Sequence, residues 1–261
     1  MLTLVLTRHG STPRSDPEQH LGQRLDLPLS DRGRAAGRAL GERLAGVPFD
    51  RVVSSPLARG RETASLVVPG VRFEIDARLA EMDYGRWEGL TYAQIDAADA
   101  AGRRRWEEDP AGLACPGGES GDQVAFRVRS LLTDQLDWAD GSGDGTGSEA
   151  PGGARGGGTG PEGAATAPVA GMLPAPTAGS SAAPLPAPVG PRVLVVAHST
   201  TNRVLLAVAL GVPVRDYRRR FTQAPANLTV LQFPGSLAEG ARLLVCNDVS
   251  HIRGIRGDTW E

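Results

Sequence analysis

Lysine is absent from this sequence, so every one of its 28 basic side chains is an arginine. Glycine, alanine and proline are plentiful as well, a bias of high-GC coding that carries no functional signal of its own. Acids and arginines nearly cancel, leaving a formal charge of −2 and a pI near 6.1. A chain so balanced has no electrostatic hold on nucleic acid or a membrane surface, and neither is expected as a partner. The apolar run at the N-terminus meets Arg8 far too soon to cross a bilayer. It also lacks the basic segment and small-residue cleavage site of a secretory signal. Cysteine is scarce: Cys115 and Cys246 stand far apart, without metal-ligand spacing. They are expected to be reduced thiols in a cytoplasmic protein, with no disulfide, no metal and no cofactor.

What is present starts with residues 2–12, Leu-Thr-Leu-Val-Leu-Thr-Arg-His-Gly-Ser-Thr. A short apolar run followed by a glycine turn reads as a buried parallel strand. Arg8 and His9 then emerge at its carboxyl end, where open α/β sheets hold their ligands. Arginine offers a planar fork for phosphate, and imidazole is a nitrogen nucleophile or proton carrier near neutral pH. Residues 192–200 repeat the theme, a buried strand that ends in His198.

Between these strands the pattern alternates. Residues 11–29 form a polar loop, and Ser30 reads as the N-cap of a helix whose stripe is Ala36, Leu40 and Leu44. A strand follows at 49–54. Ser55 suits an N-cap and Pro56 a first helical position, which puts Arg59 in the first turn, where helix N-termini attract anions. A third strand is expected at 71–75. Next comes a loop carrying three acids, Glu81, Asp83 and Glu88, that leads to a helix from Thr91; the loop alone does not choose among the acids. Residues 106–121 look irregular, and a helix is expected over 119–138. After His198, Ser199 or Thr200 can cap a helix over 202–210, and strands are expected at 228–233 and 242–246.

Residues 140–191 differ in kind, being built almost wholly of Gly, Ala, Pro, Ser and Thr without an aromatic residue. Such a stretch cannot bury enough apolar surface to offset an ordering cost of roughly 1–2 kcal/mol per residue. It reads as a disordered insertion within one domain spanning 1–261. The fold expected is α/β: a doubly wound, mostly parallel sheet with helices on both faces, in three α/β/α layers.

The joint pattern resembles the histidine phosphatase superfamily, also called phosphoglycerate-mutase-like. The matching residues, in order, are Arg8-His9-Gly10, the stretch from Ser54 to Arg59 with Thr63-Ala64, Glu81 with Tyr84-Gly85, Trp87-Glu88-Gly89-Leu90, and Ala197-His198 with Arg203. The resemblance implies that His9 is the nucleophile, that Arg8, Arg59 and His198 hold the phosphoryl group, and that Glu81 is the proton donor. It also implies that Thr12 and Ser199 line the substrate pocket. Ser11 stands where the family commonly has an acid, and Ser199 where glycine is frequent. The activity implied is metal-independent hydrolysis of a small phosphomonoester through a phosphohistidine. The alternatives are mutase-type phosphoryl transfer and non-catalytic binding of a phospholigand. The partners expected are a small phosphorylated metabolite and, at most, a second copy of the chain as a homodimer. His20 and His251 match no motif and are expected at the surface.

Overall fold

The computed structural model describes residues 1–143, 185–253 and 255. Most of the insertion expected at 140–191 lies outside the described residues. Six strands form one sheet in the order β3-β2-β4-β1-β5-β6. They are β1 (Leu2–Arg8), β2 (Arg51–Ser54), β3 (Glu74–Ile75), β4 (Arg192–Ala197), β5 (Leu228–Phe233) and β6 (Arg242–Asp248). The first four run parallel, as expected, while β5 runs antiparallel to β1 and β6 antiparallel to β5, so one reversed strand makes the sheet mixed.

Successive side chains of a strand face opposite ways, so a near-continuous apolar strand serves two cores at once. On one face Leu4, Leu6, Val193 and Val195 join Leu131 and Leu132 of α4 (Gly121–Gly143) and Leu205 of α5 (Ser199–Ala209). Trp106 of α3 (Tyr92–Glu108) closes the same cluster. On the other face Val5, Leu194 and Val196 meet Leu40 and Leu44, at the end of α1 (Asp31–Arg43), and Ala64 and Val67 of α2 (Ala58–Val67). Three layers follow. Each fully buried leucine here contributes about 1.5–3 kcal/mol of burial free energy.

The helix starts follow local chemistry, with instructive exceptions. Ser30 caps α1 by accepting the Gly33 N–H, and Thr91 with Gln94 forms a capping box on α3. Helix α2 begins at Ala58, later than the expected cap at Ser55 implies; the Ser55 hydroxyl still accepts the Leu57 N–H and also meets a histidine ring described below. Helix α5 begins at Ser199, three residues earlier than expected, because a distant carboxylate supplies its cap. Trp106 belongs to α3, not to an irregular stretch. It is buried edge-on against Trp87, their ring centroids 5.4 Å apart, a contact that sequence periodicity does not show. The third strand shrinks to two residues. Among the described residues no helix is long and apolar enough to cross a membrane.

Candidate active site

Strand register builds the site. Parallel pairing sets Arg8 against Ala197, so the next residues, His9 and His198, leave the sheet side by side. The His9 N–H is fixed to the Ala197 carbonyl at 2.9 Å, and the two rings lie 5.0 Å apart, tilted by 57°. One strand further along, Ser54 pairs with Val196 and the Ser55 N–H bonds the Val196 carbonyl, which brings the Ser55 hydroxyl to 2.6 Å from His198 Nε2. Gly10 then lets the chain turn against α1: a Cβ there would sit 2.5 Å from the Gly33 carbonyl oxygen. Its N–H donates to Thr63 Oγ1, and that hydroxyl donates to the Arg59 carbonyl, tying α2 to the end of β1.

The two rings are held by opposite nitrogens. His9 Nδ1 is 2.7 Å from the Gly10 carbonyl oxygen. A carbonyl only accepts, so Nδ1 carries the proton and the neutral ring presents its lone pair at Nε2. Burial, then the charges of Arg59 and Arg8, push His9 well below the ordinary imidazole value. Burial pushes His198 in the same direction, followed by Arg59 and His9. Both rings are therefore neutral near pH 7 while no anion is bound.

Arg59 is completely buried and donates to two carbonyls, Leu25 at 3.1 Å and Gly22 at 2.7 Å, with Asp26 3.8 Å away. Arg8 donates to the Gln223 carbonyl at 2.8 Å and reaches Glu18 at 3.4 Å. The Nε of each is buried without a partner. A buried net behind Arg8 fixes its backbone: its N–H donates to Asn227 Oδ1, and Asn227 donates in turn to Gln223 and Thr229.

The three loop acids separate cleanly. Glu88 accepts from the N–H groups of Gln23 and Arg24, and Asp83 pairs with Arg24 and accepts from the Gly85 N–H. Only Glu81 faces the cavity. Its Oε1 accepts from the Met82 and Thr201 N–H groups, and its Oε2 from Thr200 N–H at 3.2 Å. Glu81 thus caps α5 from another part of the chain, where the helix dipole favours a carboxylate. With a single backbone donor, Oε2 keeps a lone pair free. Arg127 and Gln23 both donate to the Glu81 carbonyl and hold the loop in place.

Arg8, His9, Arg59, Glu81 and Ser199 line one solvent-open cleft with about 560 Å³ of empty space. His198 is fully buried beside His9 and is not among the lining residues. Thr12 is not either: its N–H donates to the Ser15 hydroxyl, and Ser15 takes the place at the wall. Sequence reasoning missed several lining groups, namely Arg14, His20, Arg218 and the tyrosines 84 and 92. His20 is 7% exposed, and its ring centroid lies 4.3 Å from that of Tyr84 and 4.8 Å from that of Tyr92, so its expected surface position is corrected. His251 is tied to the Ala226 carbonyl at 2.8 Å and is half-buried, so the tail at that point is not exposed either. The cleft wall carries five arginines against two glutamates, Glu18 and Glu81. It can bind an anion, present a neutral imidazole to it, and move a proton at a carboxylate.

Known proteins bear on this geometry. The family model described as "Histidine phosphatase superfamily (branch 1)" matches residues 4–142 and 186–248. The chain is 40% identical over 141 residues to the glucosyl-3-phosphoglycerate phosphatase of Mycolicibacterium vanbaalenii, a match covering 52% of this chain and 62% of that protein. It is 31% identical over 134 residues to phosphoserine phosphatase 1 of Hydrogenobacter thermophilus, covering 51% of this chain and 63% of that protein. Each match therefore spans less than two thirds of the curated relative's own length. Among solved structures, the complex of mycobacterial glucosyl-3-phosphoglycerate phosphatase with inorganic phosphate superimposes with a TM-score of 0.67 at 30% identity. That superposition covers 95% of this chain and 98% of the other.

Proposed function

Because the chain belongs to branch 1 of the histidine phosphatase superfamily, we propose that it is a metal-independent phosphatase that hydrolyses small phosphomonoesters through a phosphohistidine on His9. The observation that carries this reading is the tautomer of His9. The Gly10 carbonyl keeps the proton on Nδ1, and burial beside two arginines keeps a second proton off. A nucleophile needs its lone pair at working pH, and Nε2 has it.

In the first step Nε2 forms a bond to phosphorus while the bond from phosphorus to the ester oxygen breaks. Arg8 and Arg59 hold the non-bridging oxygens, where the transition state spreads its charge. Glu81, protonated at Oε2, passes that proton to the departing oxygen, which leaves as the alcohol. In the second step Glu81 takes a proton from water as the water oxygen attacks phosphorus. The P–N bond breaks, and inorganic phosphate leaves with His9 restored. His198 acts as a neutral donor. If the Ser55 hydroxyl gives its proton to Nε2, the ring proton sits on Nδ1, which is buried without a partner, and a phosphoryl oxygen on His9 is the acceptor it lacks.

The names of the relatives favour hydrolysis over mutase transfer and make glycerate-linked and sugar-linked phosphates the first esters to try. The free thiols Cys115 and Cys246 suit a reducing compartment such as the cytoplasm. Rapid quench during turnover in EDTA should trap one acid-labile phosphate per chain, bound to His9. Turnover without that adduct, or a strict need for a divalent ion, would refute the mechanism.

A further inference from the structure

Arg59 is aimed by a loop that is neither helix nor strand. Its guanidinium donates to the Gly22 carbonyl at 2.7 Å and the Leu25 carbonyl at 3.1 Å, and residues 21–29 form no regular element. Its ion pair with Asp26 is long, 3.8 Å. A buried guanidinium held by loop carbonyls is only as well placed as the loop itself.

Glu88 fixes that loop from the other side. Its Oε1 accepts the Gln23 N–H at 2.9 Å and its Oε2 the Arg24 N–H at 2.8 Å. The Gln23 N–H and the Gly22 carbonyl belong to one peptide group, planar and trans, whose two bonds point opposite ways. Glu88 therefore grips one end of the peptide whose other end receives Arg59. A carboxylate at the N–H and a guanidinium at the carbonyl polarise that peptide in the same sense, so each bond strengthens the other. Backbone bonds keep the alignment: the Gly89 N–H donates to the His20 carbonyl at 2.7 Å, and the His20 N–H to the Leu90 carbonyl at 3.2 Å. Gly22 makes the approach possible, since its φ is +57° and a Cβ there would collide with Glu88 Oε1. Glu88 is not among the residues that line the cleft.

We propose that Glu88 is a positioning residue for Arg59, acting through the Gly22–Gln23 peptide as a carboxylate–peptide–guanidinium chain. It tightens the hold on the phosphoryl group without touching it. The proposal rests on the reading of Arg59 as a phosphoryl holder and gives a role to an acid that the mechanism above does not use.

The test is calorimetric binding of inorganic phosphate and orthovanadate to the full chain, which needs no substrate. In Glu88→Gln, which loses the charge and one acceptor, both Kd values should rise about tenfold, the scale of one charge-assisted hydrogen bond. Gly22→Ala keeps the charge but drives a methyl group against Oε1, and it should do the same. Arg59→Met should weaken binding about 100-fold. Adding Glu88→Gln to Arg59→Met should weaken it no more than about twofold further, because the acid acts only through the guanidinium. If Arg59→Met does not fold, Arg59→Lys takes its place in the cycle. Leu136→Ala, a core truncation toward the far end of α4, is the control: it should melt lower and bind both anions as the wild type does. Unchanged affinity in Glu88→Gln and Gly22→Ala would overturn the chain. Full additivity in the double variant would overturn it too, leaving Glu88 an anchor of the loop with no line to Arg59. A wild type that binds neither anion would instead refute the phosphoryl reading of Arg59, while binding without turnover would refute only the phosphatase reading.

Discussion

His9 and His198 end neighbouring parallel strands, and the chain treats them as near copies up to the last atom. Each follows a buried apolar strand, each is buried, and each is pushed toward the neutral form. They part at the ring nitrogens. A backbone carbonyl engages Nδ1 of His9, while a side-chain hydroxyl engages Nε2 of His198. One ring is left with a free lone pair and the other with a free nitrogen on the opposite side. The comparison teaches that strand register makes the pair, and that the group each ring leans on makes the difference. A hydrogen bond from a neighbour, more than the identity of the residue, sets whether an imidazole attacks or donates.

The largest effect expected breaks the pair at its reactive member. His9→Ala should lower kcat by 10⁴-fold or about that, the scale of removing a nucleophile, and should form no adduct. His198→Ala should lose about 10²–10³-fold, as when a single transition-state donor is removed, while still forming the adduct on His9. Steady-state rates with rapid-quench trapping separate the two. Equal losses, or an adduct that survives in the first variant, would erase the division of labour.

A smaller effect tests what fixes the second ring. Ser55→Ala removes the partner of His198 Nε2 and also the acceptor of the Leu57 N–H. It should cost about 1–3 kcal/mol of stability through those unpaired groups. It should also lower kcat about tenfold with little change in KM, because Ser55 positions a donor and does not touch the substrate. A fall in melting temperature with kcat intact would make Ser55 structural only.

The contrast also shows how far the sequence could be read. Two apolar strands ending in histidine are visible in the chain, and parallel pairing brings their ends together, so His9, His198 and Arg59 were legible. Glu81 was one loop acid among three. What singles it out is a cap on α5, a helix 118 residues further along the chain than the acid it borrows, and only the fold supplies that contact. His20, Arg14 and Arg218 join the cleft because a polar loop and a four-residue helix fold back over the sheet edge, and no periodicity encodes such a return. Thr12 spends its N–H on the Ser15 hydroxyl and its own hydroxyl on the Arg14 N–H, a local turn that puts Ser15 at the cleft wall and that no spacing in the sequence announces.

The third buried histidine gives the smallest prediction and a control on the other two. His20 ends no strand, and its ring is packed among Tyr84, Tyr92 and Trp106. Burial, then the charge of Arg218, lowers its pKa from 6.5 to about 4. Below pH 6.5 the unfolded chain therefore takes up a proton that the folded chain refuses. The unfolded state binds more protons, so stability falls as pH drops from 6.5 toward 4 and is fully retained above that window. The contribution is on the order of 3 kcal/mol at most, by the linkage relation applied to that shift. His20→Phe keeps an aromatic ring in the stack and removes the titration. Its urea midpoint should then decline less steeply than that of the wild type between pH 6.5 and 4, and some slope should persist, because His9 and His198 are pushed the same way. Identical slopes in the two proteins would mean that the His20 ring is open to protons in the folded state, and that burial alone does not keep imidazoles neutral in this cleft.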